Sequence, residues 1–321
     1  MQSRQGILLG FGAYFIWGLF PLYFKLLEDS GTVEIVLHRY LWALPVCALV
    51  MAVTGGLPQL REVLRTPRRV ALLGTAALSL ALTSGVYIYA VNSGHVVEAS
   101  LGYFINPLVT VALGVVVLRE RPRRAQWWAV GICAVAVAVL TVAYGRLPWI
   151  ALGLAGSFGV YGLLKNRVGG DVGALVGLTV ETLALAPIAV VGVAAYAASG
   201  HGTFTADPPW QALLLASGGL AIVAPLLPFA AAARRVPLIT IGLLQYVTPV
   251  LQLLIGVALF HESMPASRWI GFGLVWTALS VLTADGLRAR ARSQAARNRS
   301  TAPGALSAPS DKDAKRAPQG A

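Results

Sequence analysis

The chain has 321 residues, of which 57% are hydrophobic and 12% charged, and its mean hydropathy is +0.71. A soluble domain carries about 25% charged residues, so this composition excludes an ordinary soluble enzyme and indicates a membrane protein. The net charge of +12 does not indicate nucleic-acid binding, because the basic residues are dispersed over loops and one tail without stacking aromatic residues. The two cysteines, Cys47 and Cys133, lie far apart in apolar runs and predict neither a disulfide framework nor a zinc site.

Ten continuously apolar segments are long enough to cross a bilayer as helices. The hydrocarbon core of a bilayer needs about 20 apolar residues of helix, and these segments lack the short alternating pattern of a membrane β-barrel. They cover approximately residues 6–27, 33–54, 70–92, 97–118, 126–144, 147–164, 173–198, 210–233, 236–260 and 268–287. The connections are short, so we expect an all-α membrane protein of ten transmembrane helices whose function lies inside the bundle.

The distribution of Lys and Arg predicts the orientation, because cytoplasmic loops carry an excess of positive charge. With the N-terminus inside, the inner segments hold 21 of the 25 basic residues, including Lys165 and Arg167, and Arg39 lies within the second span. We therefore expect a multi-pass protein of the cell (inner or plasma) membrane with both termini in the cytoplasm. Residues 288–321, rich in Arg, Ala, Ser and Pro, are expected to form a basic disordered cytoplasmic tail.

The chain contains an internal repeat, in which residues 100–120 align without gaps on 242–262 at an offset of 142 residues. The coincident pairs include Pro107/Pro249, Gly114/Gly256, Glu120/Glu262, Trp127/Trp269 and Gly131/Gly273. The repeat predicts two halves of five helices each, 1–145 and 146–287. Because five is odd, the halves cross the membrane in opposite directions, and inverted repeats are the usual construction of secondary transporters. Channels also carry inverted repeats, so the pattern favours transport in general more firmly than it favours a carrier.

Few charged residues lie inside the predicted spans, and charges in that environment are expected to be functional. At the offset of 142, Arg39 in the second span aligns with Glu181 in the seventh. We interpret both as lining a central site at comparable depths, with Arg39 attracting an anionic or polar group and Glu181 exchanging a proton. The alternative is a structural ion pair between the two residues that locks two helices together.

Three further candidates lie near span ends on the same half of the chain. Glu34 and His38 share a helix face beside Arg39, because they are four residues apart. They would form a proton relay or an outer gate, or else His38 would be a hydrogen-bonded core residue. Glu98 is a candidate at the start of the fourth span. Two ligands at helical spacing do not complete a metal site, so neither a metal nor another cofactor is expected.

Polar residues precede a proline at two equivalent positions of the repeat: Tyr103 and Asn106 before Pro107, and Gln245 and Tyr246 before Pro249. Proline inside a helix removes a backbone hydrogen bond and bends the helix. We expect a helix break at both prolines that turns polar groups towards a cavity, as in transporter sites. The alternative is that the bends serve packing alone.

Short motifs distributed over residues 4 to about 287 carry a family resemblance. They include Ala13–Gly18 (AYFIWG), Glu34-Ile35, His38-Arg39, Ala90-Val91-Asn92, Glu181-Thr182 and, most specifically, the run Glu98–Leu108. Together they resemble the RarD branch of the EamA group in the drug/metabolite transporter superfamily. The resemblance implies a permease of two EamA repeats with both termini cytoplasmic, and it supplies no substrate. The first helix lacks the membrane-embedded glutamate of the small multidrug exporters, so their proton-coupling mechanism does not carry over directly.

The prediction for the whole chain is a secondary transporter that moves a small organic metabolite or drug by alternating access. The sequence has no HExxH, P-loop or GxSxG motif, so enzyme and ATP-driven pump chemistries lack their residues. The expected partners are a small-molecule substrate and the lipid bilayer, with protons as a coupling ion and a homodimer both left open. The alternative function is a non-transporting membrane scaffold or receptor.

Overall fold

The computed structural model describes residues 2–119, 121–200, 202–204 and 209–300, and every regular element within these residues is helical. The helices are α1 (Gln2–Gly18), α2 (Phe20–Lys25), α3 (Thr32–Thr54), α4 (Leu57–Leu64), α5 (Pro67–Asn92), α6 (Val96–Leu118), α7 (Arg124–Tyr144), α8 (Trp149–Val168), α9 (Ala174–Ser199), α10 (Pro209–Ala233), α11 (Leu238–Leu244), α12 (Val247–Leu254) and α13 (Ala266–Ser300). A π-helical segment, Ile255–Leu259, follows α12.

The described chain contains nine helical stretches that are long and apolar enough to cross a membrane. The remaining predicted span corresponds to α8 (Trp149–Val168), which is helical but is not among these nine stretches. The predicted all-α membrane protein is therefore confirmed. Two of the predicted spans consist of successive helices, because α1 continues into α2, and α11 continues into α12 and the π-helical segment.

The structure also contains helical segments that the sequence pattern did not predict. The short helix α4 lies between the second and third spans, and Val63 on it is buried against Met51 and Leu73. The last helix continues to Ser300, beyond the predicted end of the tenth span at 287. Ala and Arg favour helix strongly, which explains the extension into the first part of the expected tail. Residues 301–321 of that tail, and Glu120 of the repeat, lie outside the described residues.

The main helix–helix contacts are between the two predicted halves of the chain. The helices α3 and α9, α6 and α12, and α7 and α13 pack together, and each pair joins equivalent spans of the two halves. The contact of α1 with α10 has its counterpart in the contact of α8 with α5. This is the arrangement that a twofold axis between the predicted halves would produce.

Glycine allows α3 and α10 to approach closely where they position the central arginine. A Cβ atom at Gly219 would lie 2.2 Å from the backbone carbonyl carbon of Trp42, and one at Gly218 would lie 3.3 Å from the Cα atom of Arg39. Backbone atoms cannot move aside as a flexible side chain can. The separation between the two helices therefore depends on the absence of a side chain at Gly219.

We expect Gly219→Ala to lower the thermal stability of the purified protein, because the added methyl group would overlap the backbone of α3. Overpacking of this kind costs about 1–3 kcal/mol. The matched control is Gly12→Ala on α1, where a Cβ atom would have no neighbour within 4 Å. Thermal unfolding of both variants in the same detergent would check the prediction, and equal midpoints would contradict it.

Candidate functional site

Arg39 is the central charged residue of the bundle, about 10 Å along α3 from its start at 1.5 Å per residue. Its Nη1 atom donates a long hydrogen bond of 3.4 Å to Ser84 Oγ, and its buried Nε atom has no hydrogen-bond partner in the described structure. The guanidinium carbon lies 5.7 Å from the ring centre of Phe20 and 5.5 Å from that of Phe24. Among the ion pairs of the described residues none involves Arg39. Among the described residues, the positive charge of Arg39 therefore has aromatic rings and hydroxyl groups as its neighbours and no carboxylate partner.

Four tyrosines lie near the guanidinium of Arg39, namely Tyr23, Tyr40, Tyr87 and Tyr103. Tyr87 is 3% exposed, and its hydroxyl has no hydrogen-bond partner in the part of the chain that the structure describes. Gln252 on α12 lies beside Tyr87 and is 2% exposed, and its Oε1 atom also lacks a partner there. Unpartnered buried polar groups are uncommon in folded proteins and call for an explanation at each position.

Glu181 is fully buried on α9 and has a cationic partner other than the one considered from the sequence. Its Oε1 atom accepts a hydrogen bond of 2.7 Å from Lys165 Nζ, and the Tyr161 hydroxyl lies 3.5 Å from its Oε2 atom. The structural ion pair between Arg39 and Glu181 is therefore not formed among the described residues. Lys165, which the sequence places among the basic residues of the inner segments, lies in the last turn of α8, and its ammonium group reaches Glu181.

Arg39 and Glu181 lie at equivalent distances from the starts of their helices. Glu181 is about 10 Å along α9 from the start of that helix, just as Arg39 is on α3. The two helices are the second and seventh spans, so an odd number of crossings separates them and they begin at opposite membrane faces. If the predicted halves are inverted, these equivalent positions fall on opposite sides of the midplane.

An aromatic row, defined as Phe24, Tyr87, Tyr103, Phe158 and Tyr161, connects the two charged positions. Its successive ring centres are 5.9, 5.8, 6.2 and 5.8 Å apart. Its first ring lies beside the Arg39 guanidinium and its last hydroxyl beside the Glu181 carboxylate. The row thus runs through the interior between the Arg39 and Glu181 side chains.

Asn106 lies next to this row on the face of α6 that packs against α8. Its buried Oδ1 atom has no hydrogen-bond partner among the described residues and lies 3.8 Å from the position that a Cβ atom at Gly159 would occupy. Of the four polar residues predicted near prolines, Tyr103 and Asn106 therefore face the interior between α6 and α8.

The equivalent residues of the second half are arranged differently. Tyr246 stacks on Phe104, with ring centres 6.5 Å apart, in the core between α6, α7 and α13. It lies away from the Arg39 region, which we define as Arg39 with Phe20, Tyr23, Phe24, Tyr87, Tyr103 and Gln252. The ninth span is divided at Gln245 and Tyr246, and Pro249 lies in the first turn of α12. The expected helix break at Pro107 was wrong, because α6 continues through it from Val96 to Leu118. Membrane helices tolerate proline where neighbouring groups satisfy the freed carbonyl.

Glu34 and His38 hold the segment 202–204, which follows α9, against the beginning of α3. The Glu34 carboxylate accepts hydrogen bonds from Thr203 N at 2.7 Å, Thr203 Oγ1 at 3.0 Å and Phe204 N at 3.3 Å. His38 stacks on Phe204 at 4.6 Å and its Nδ1 atom accepts a hydrogen bond from Trp42 Nε1. These contacts favour a hydrogen-bonded core histidine over a proton relay. His201 and residues 205–208 lie outside the described residues.

We expect Glu34→Gln to accelerate amide hydrogen exchange at Thr203 and Phe204, because a neutral amide accepts hydrogen bonds more weakly than a carboxylate does. Mass spectrometry of peptides covering 202–204 would measure this change. The matched control is Glu28→Gln, which removes an exposed carboxylate that pairs only with Lys25 among the described residues. Unchanged exchange in Glu34→Gln would contradict the assigned contact.

Glu98 belongs to a structural junction at the start of α6. Its carboxylate is 1% exposed, accepts a hydrogen bond of 2.8 Å from Arg146 Nη2 and accepts another of 3.1 Å from Ile150 N. The first bond joins α6 to the connection before α8, and the second satisfies a backbone donor at the start of α8. The structure therefore brings Glu98 to the end of the bundle and not to the Arg39 region.

Glu262 completes this junction from the other half of the chain. Its carboxylate accepts hydrogen bonds from Val96 N at 2.5 Å and Val97 N at 2.9 Å, and so satisfies two free donors at the start of α6. Burial raises the pKa of Glu262, and the two backbone hydrogen bonds oppose the rise. The junction encloses a cavity of about 140 Å³, lined by Gly94, His95, Glu98, Tyr144, Glu262, Ser263 and Arg268.

Sequence patterns missed several members of the Arg39 region, above all Tyr23, Tyr87 and Gln252. Phe and Tyr are common in membrane helices whether they face lipid, core or cavity, so periodicity alone does not single them out. Gln252 is a polar residue in an apolar span, and that signal could have identified it. Within the described residues, no group of three or more His, Cys, Asp or Glu side chains is arranged to hold a metal ion.

Comparison with known proteins identifies relatives along nearly the whole chain. Residues 4–142 match the EamA-like transporter family. Protein RarD of Streptomyces exfoliatus is 51% identical over 308 residues, which cover 96% of this chain and 97% of the relative. Protein RarD of Escherichia coli is 40% identical over 293 residues (91% and 98%), and an uncharacterised transporter of Pseudomonas aeruginosa is 42% identical over 291 residues (90% and 96%).

A solved structure supports the same fold at lower sequence identity. It is 19% identical, has a TM-score of 0.56 and covers 87% of this chain and 97% of its own. The helical bundle and these relatives define a multi-pass membrane transporter. The chain belongs to the RarD family of the EamA group in the drug/metabolite transporter superfamily. The family resemblance of the sequence motifs is thereby confirmed.

Proposed function

We propose that this transporter is a secondary carrier that moves a small organic metabolite or drug by alternating access. The observation that carries the proposal is the pair of charged positions, Arg39 and Glu181, at opposite ends of the aromatic row inside the bundle. Charges buried within membrane spans mark substrate and ion pathways far more often than they serve packing. A carrier also fits the absence of an ATP-binding motif from the sequence, since a solute or ion gradient then supplies the energy.

Rocking of the predicted halves, 1–145 against 146–287, would open the interior to each side in turn. The contact of Glu34 with Thr203 closes one end of α3. At the start of α9, Gln59 Nε2 donates to the Asp171 carbonyl at 2.8 Å and Arg69 pairs with the Asp171 carboxylate at 2.5 Å. The first set joins the start of the second span to the segment after the seventh span. The second set joins α4 and the start of the third span to the connection before the seventh span, at the opposite membrane face. In alternating access each set would open while the other stays closed.

Glu181 is the proposed proton-exchanging group. Whether a buried carboxylate holds a proton depends on its desolvation and on the charge beside it. Lys165 provides the neighbouring charge, because its ammonium group is 2.7 Å from the carboxylate and its side chain is 27% exposed. Protonation of Glu181 would release Lys165, and this release would link proton binding to movement of α8 against α9.

The orientation forms part of the same proposal. Placing both termini in the cytoplasm puts Arg69, Asp171 and Lys165 at the inner face, and Glu34, Thr203 and Glu98 at the outer face. The excess of basic residues in the inner segments supports this orientation. Reporter fusions at residues 2 and 300 would test it, and an outside signal from either end would contradict it.

Purified protein in liposomes that contain a pH-sensitive dye would test the carrier function. Pools of metabolites and antibiotics are added outside, and at least one pool is expected to produce a proton flux that empty liposomes lack. Labelled-solute counterflow with the same pools would detect a carrier that moves no protons. The absence of both proton flux and counterflow with every pool would contradict the proposed function and favour a non-transporting scaffold or receptor.

A further inference from the structure

The Arg39 region combines a cation, aromatic rings and unpartnered polar atoms in one place. We infer that it binds a solute whose carboxylate is attached to an aromatic ring, an inference that rests on the carrier function proposed above. It names the class of solute for that site, whereas the family comparison names none. The charge of Arg39, the ring contacts and the unpartnered polar atoms each support this inference separately.

The positive charge indicates an anionic ligand. A guanidinium group presents five N–H donors in a planar fork that fits a carboxylate with two parallel hydrogen bonds. Arg39 uses one donor, in the long bond to Ser84, and leaves Nε without a partner in the described structure. The other carboxylates within the described spans have partners of their own, since Glu34 binds Thr203, Glu98 binds Arg146 and Glu181 binds Lys165. A carboxylate brought by a solute would satisfy Arg39.

The surrounding rings indicate an aromatic ligand. Phe20 and Phe24 lie beside the guanidinium, and Tyr87 and Tyr103 continue from Phe24 at centre distances of 5.9 and 5.8 Å. These rings meet at angles of 77° and 65°, so that ring edges and faces are both presented. Aromatic pairs of this kind gain about 0.5–1.5 kcal/mol beyond the area they bury. A flat ring held at Arg39 would continue the aromatic row towards Tyr161 and Glu181.

The unpartnered atoms of Tyr87 and Gln252 indicate a polar substituent on that ring. Gln252 Oε1 can only accept a hydrogen bond, whereas the Tyr87 hydroxyl can donate or accept. Tyr87 and Gln252 lie close enough to interact with each other, but without a hydrogen bond of good geometry. A ring hydroxyl would offer such a bond to both groups. We therefore expect 4-hydroxybenzoate to bind more tightly than benzoate does.

Isothermal titration calorimetry of the full chain in detergent would test the inference, with benzoate and 4-hydroxybenzoate as probes. The matched comparison compounds are cyclohexanecarboxylate, which keeps the charge and lacks the aromatic ring, benzamide, which keeps the ring and lacks the charge, and benzylamine, which reverses the charge. Benzoate is expected to bind more tightly than all three, and benzylamine is expected not to bind, because Arg39 repels a cation.

Three variants locate the binding. Arg39→Gln is expected to weaken benzoate binding about 10- to 100-fold, as the loss of a hydrogen bond to a charged group does. Tyr87→Phe is expected to remove the advantage of 4-hydroxybenzoate over benzoate. Tyr89→Phe is the control, because Tyr89 lies on the same helix with 44% of its surface exposed and is expected to bind both probes normally. Thermal unfolding of each variant would verify that it is folded.

The outcomes separate the inferred solute class from the carrier function. If no aromatic carboxylate binds while liposomes show transport of another solute, the solute class is wrong and the carrier function stands. If cyclohexanecarboxylate binds as tightly as benzoate, the aromatic requirement is overturned. If benzoate binds in a manner that depends on Arg39 and no solute is transported, the binding site is supported and the carrier function is contradicted.

Discussion

Arg39→Gln is expected to abolish solute transport while leaving the protein at least as stable as the wild type. Within the described structure Arg39 has no carboxylate partner, so its removal breaks no ion pair and ends the cost of holding a charge in a poorly solvated interior. Its loss would remove about 1.5–3 kcal/mol of interaction with an anionic solute. Transport rates in liposomes and unfolding midpoints in detergent, measured on the same preparation, would check both parts of the prediction.

Two further variants sharpen this comparison. Arg39→Lys keeps the charge and loses the planar fork, so it should retain a fraction of the transport activity. Arg146→Gln removes an arginine that does have a carboxylate partner, because Arg146 pairs with the buried Glu98. It should therefore lower stability, in contrast to Arg39→Gln. A loss of stability in Arg39→Gln as large as that in Arg146→Gln would contradict a binding role and favour a structural one.

Lys165→Met is expected to destabilise the protein by about 3–5 kcal/mol, because it leaves the buried Glu181 carboxylate without its cation. The double variant Lys165→Met/Glu181→Gln should recover most of this stability, since neither charge remains. Lys25→Met is the control, because the pair of Lys25 with Glu28 is exposed and such pairs contribute about 0–1 kcal/mol. The free energies of unfolding of the three variants would be measured in detergent at one fixed pH.

The double variant also distinguishes two roles of this pair. Either Glu181 and Lys165 are a purely structural ion pair, or Glu181 couples transport to protons. If Glu181 and Lys165 serve only to hold α8 against α9, the stable double variant should transport normally and remain coupled to protons. If Glu181 exchanges the coupling proton, the double variant should be stable and uncoupled. Wild-type stability in Lys165→Met would show that the ion pair contributes nothing and would contradict the assigned contact.

The sequence predicts the framework of this fold well, because bilayer thickness imposes a length and a composition on each span. The Pro107/Pro249 repeat also predicts which spans are equivalent, and the packing of α3 on α9 and of α6 on α12 agrees with that pairing. Composition does not show which face of a span points inwards, because lipid and protein interior are both apolar. The positions of Tyr87 and Tyr103 in the site therefore became clear only in three dimensions.

The pairing of Glu181 with Lys165 shows a second limit of sequence reasoning. A basic residue near the end of a span looks the same in the sequence whether it faces the cytoplasm or turns back into the bundle, since a long lysine side chain allows both. Similarly, the proline pattern indicates a weak point in a helix without showing whether neighbouring helices compensate for it. The eleventh and twelfth helices are separated next to Pro249, whereas α6 continues through Pro107.

Proton movement in liposomes, with wild-type protein beside Glu181→Gln, tests the central claim most directly. The solute is the compound that gives the largest flux with the wild type, and labelled-solute counterflow without a pH gradient measures exchange that needs no net proton transfer. A coupled carrier with Glu181 as its proton-exchanging group predicts that Glu181→Gln keeps counterflow and loses the solute-dependent proton flux. Wild-type proton flux in Glu181→Gln would contradict the claim.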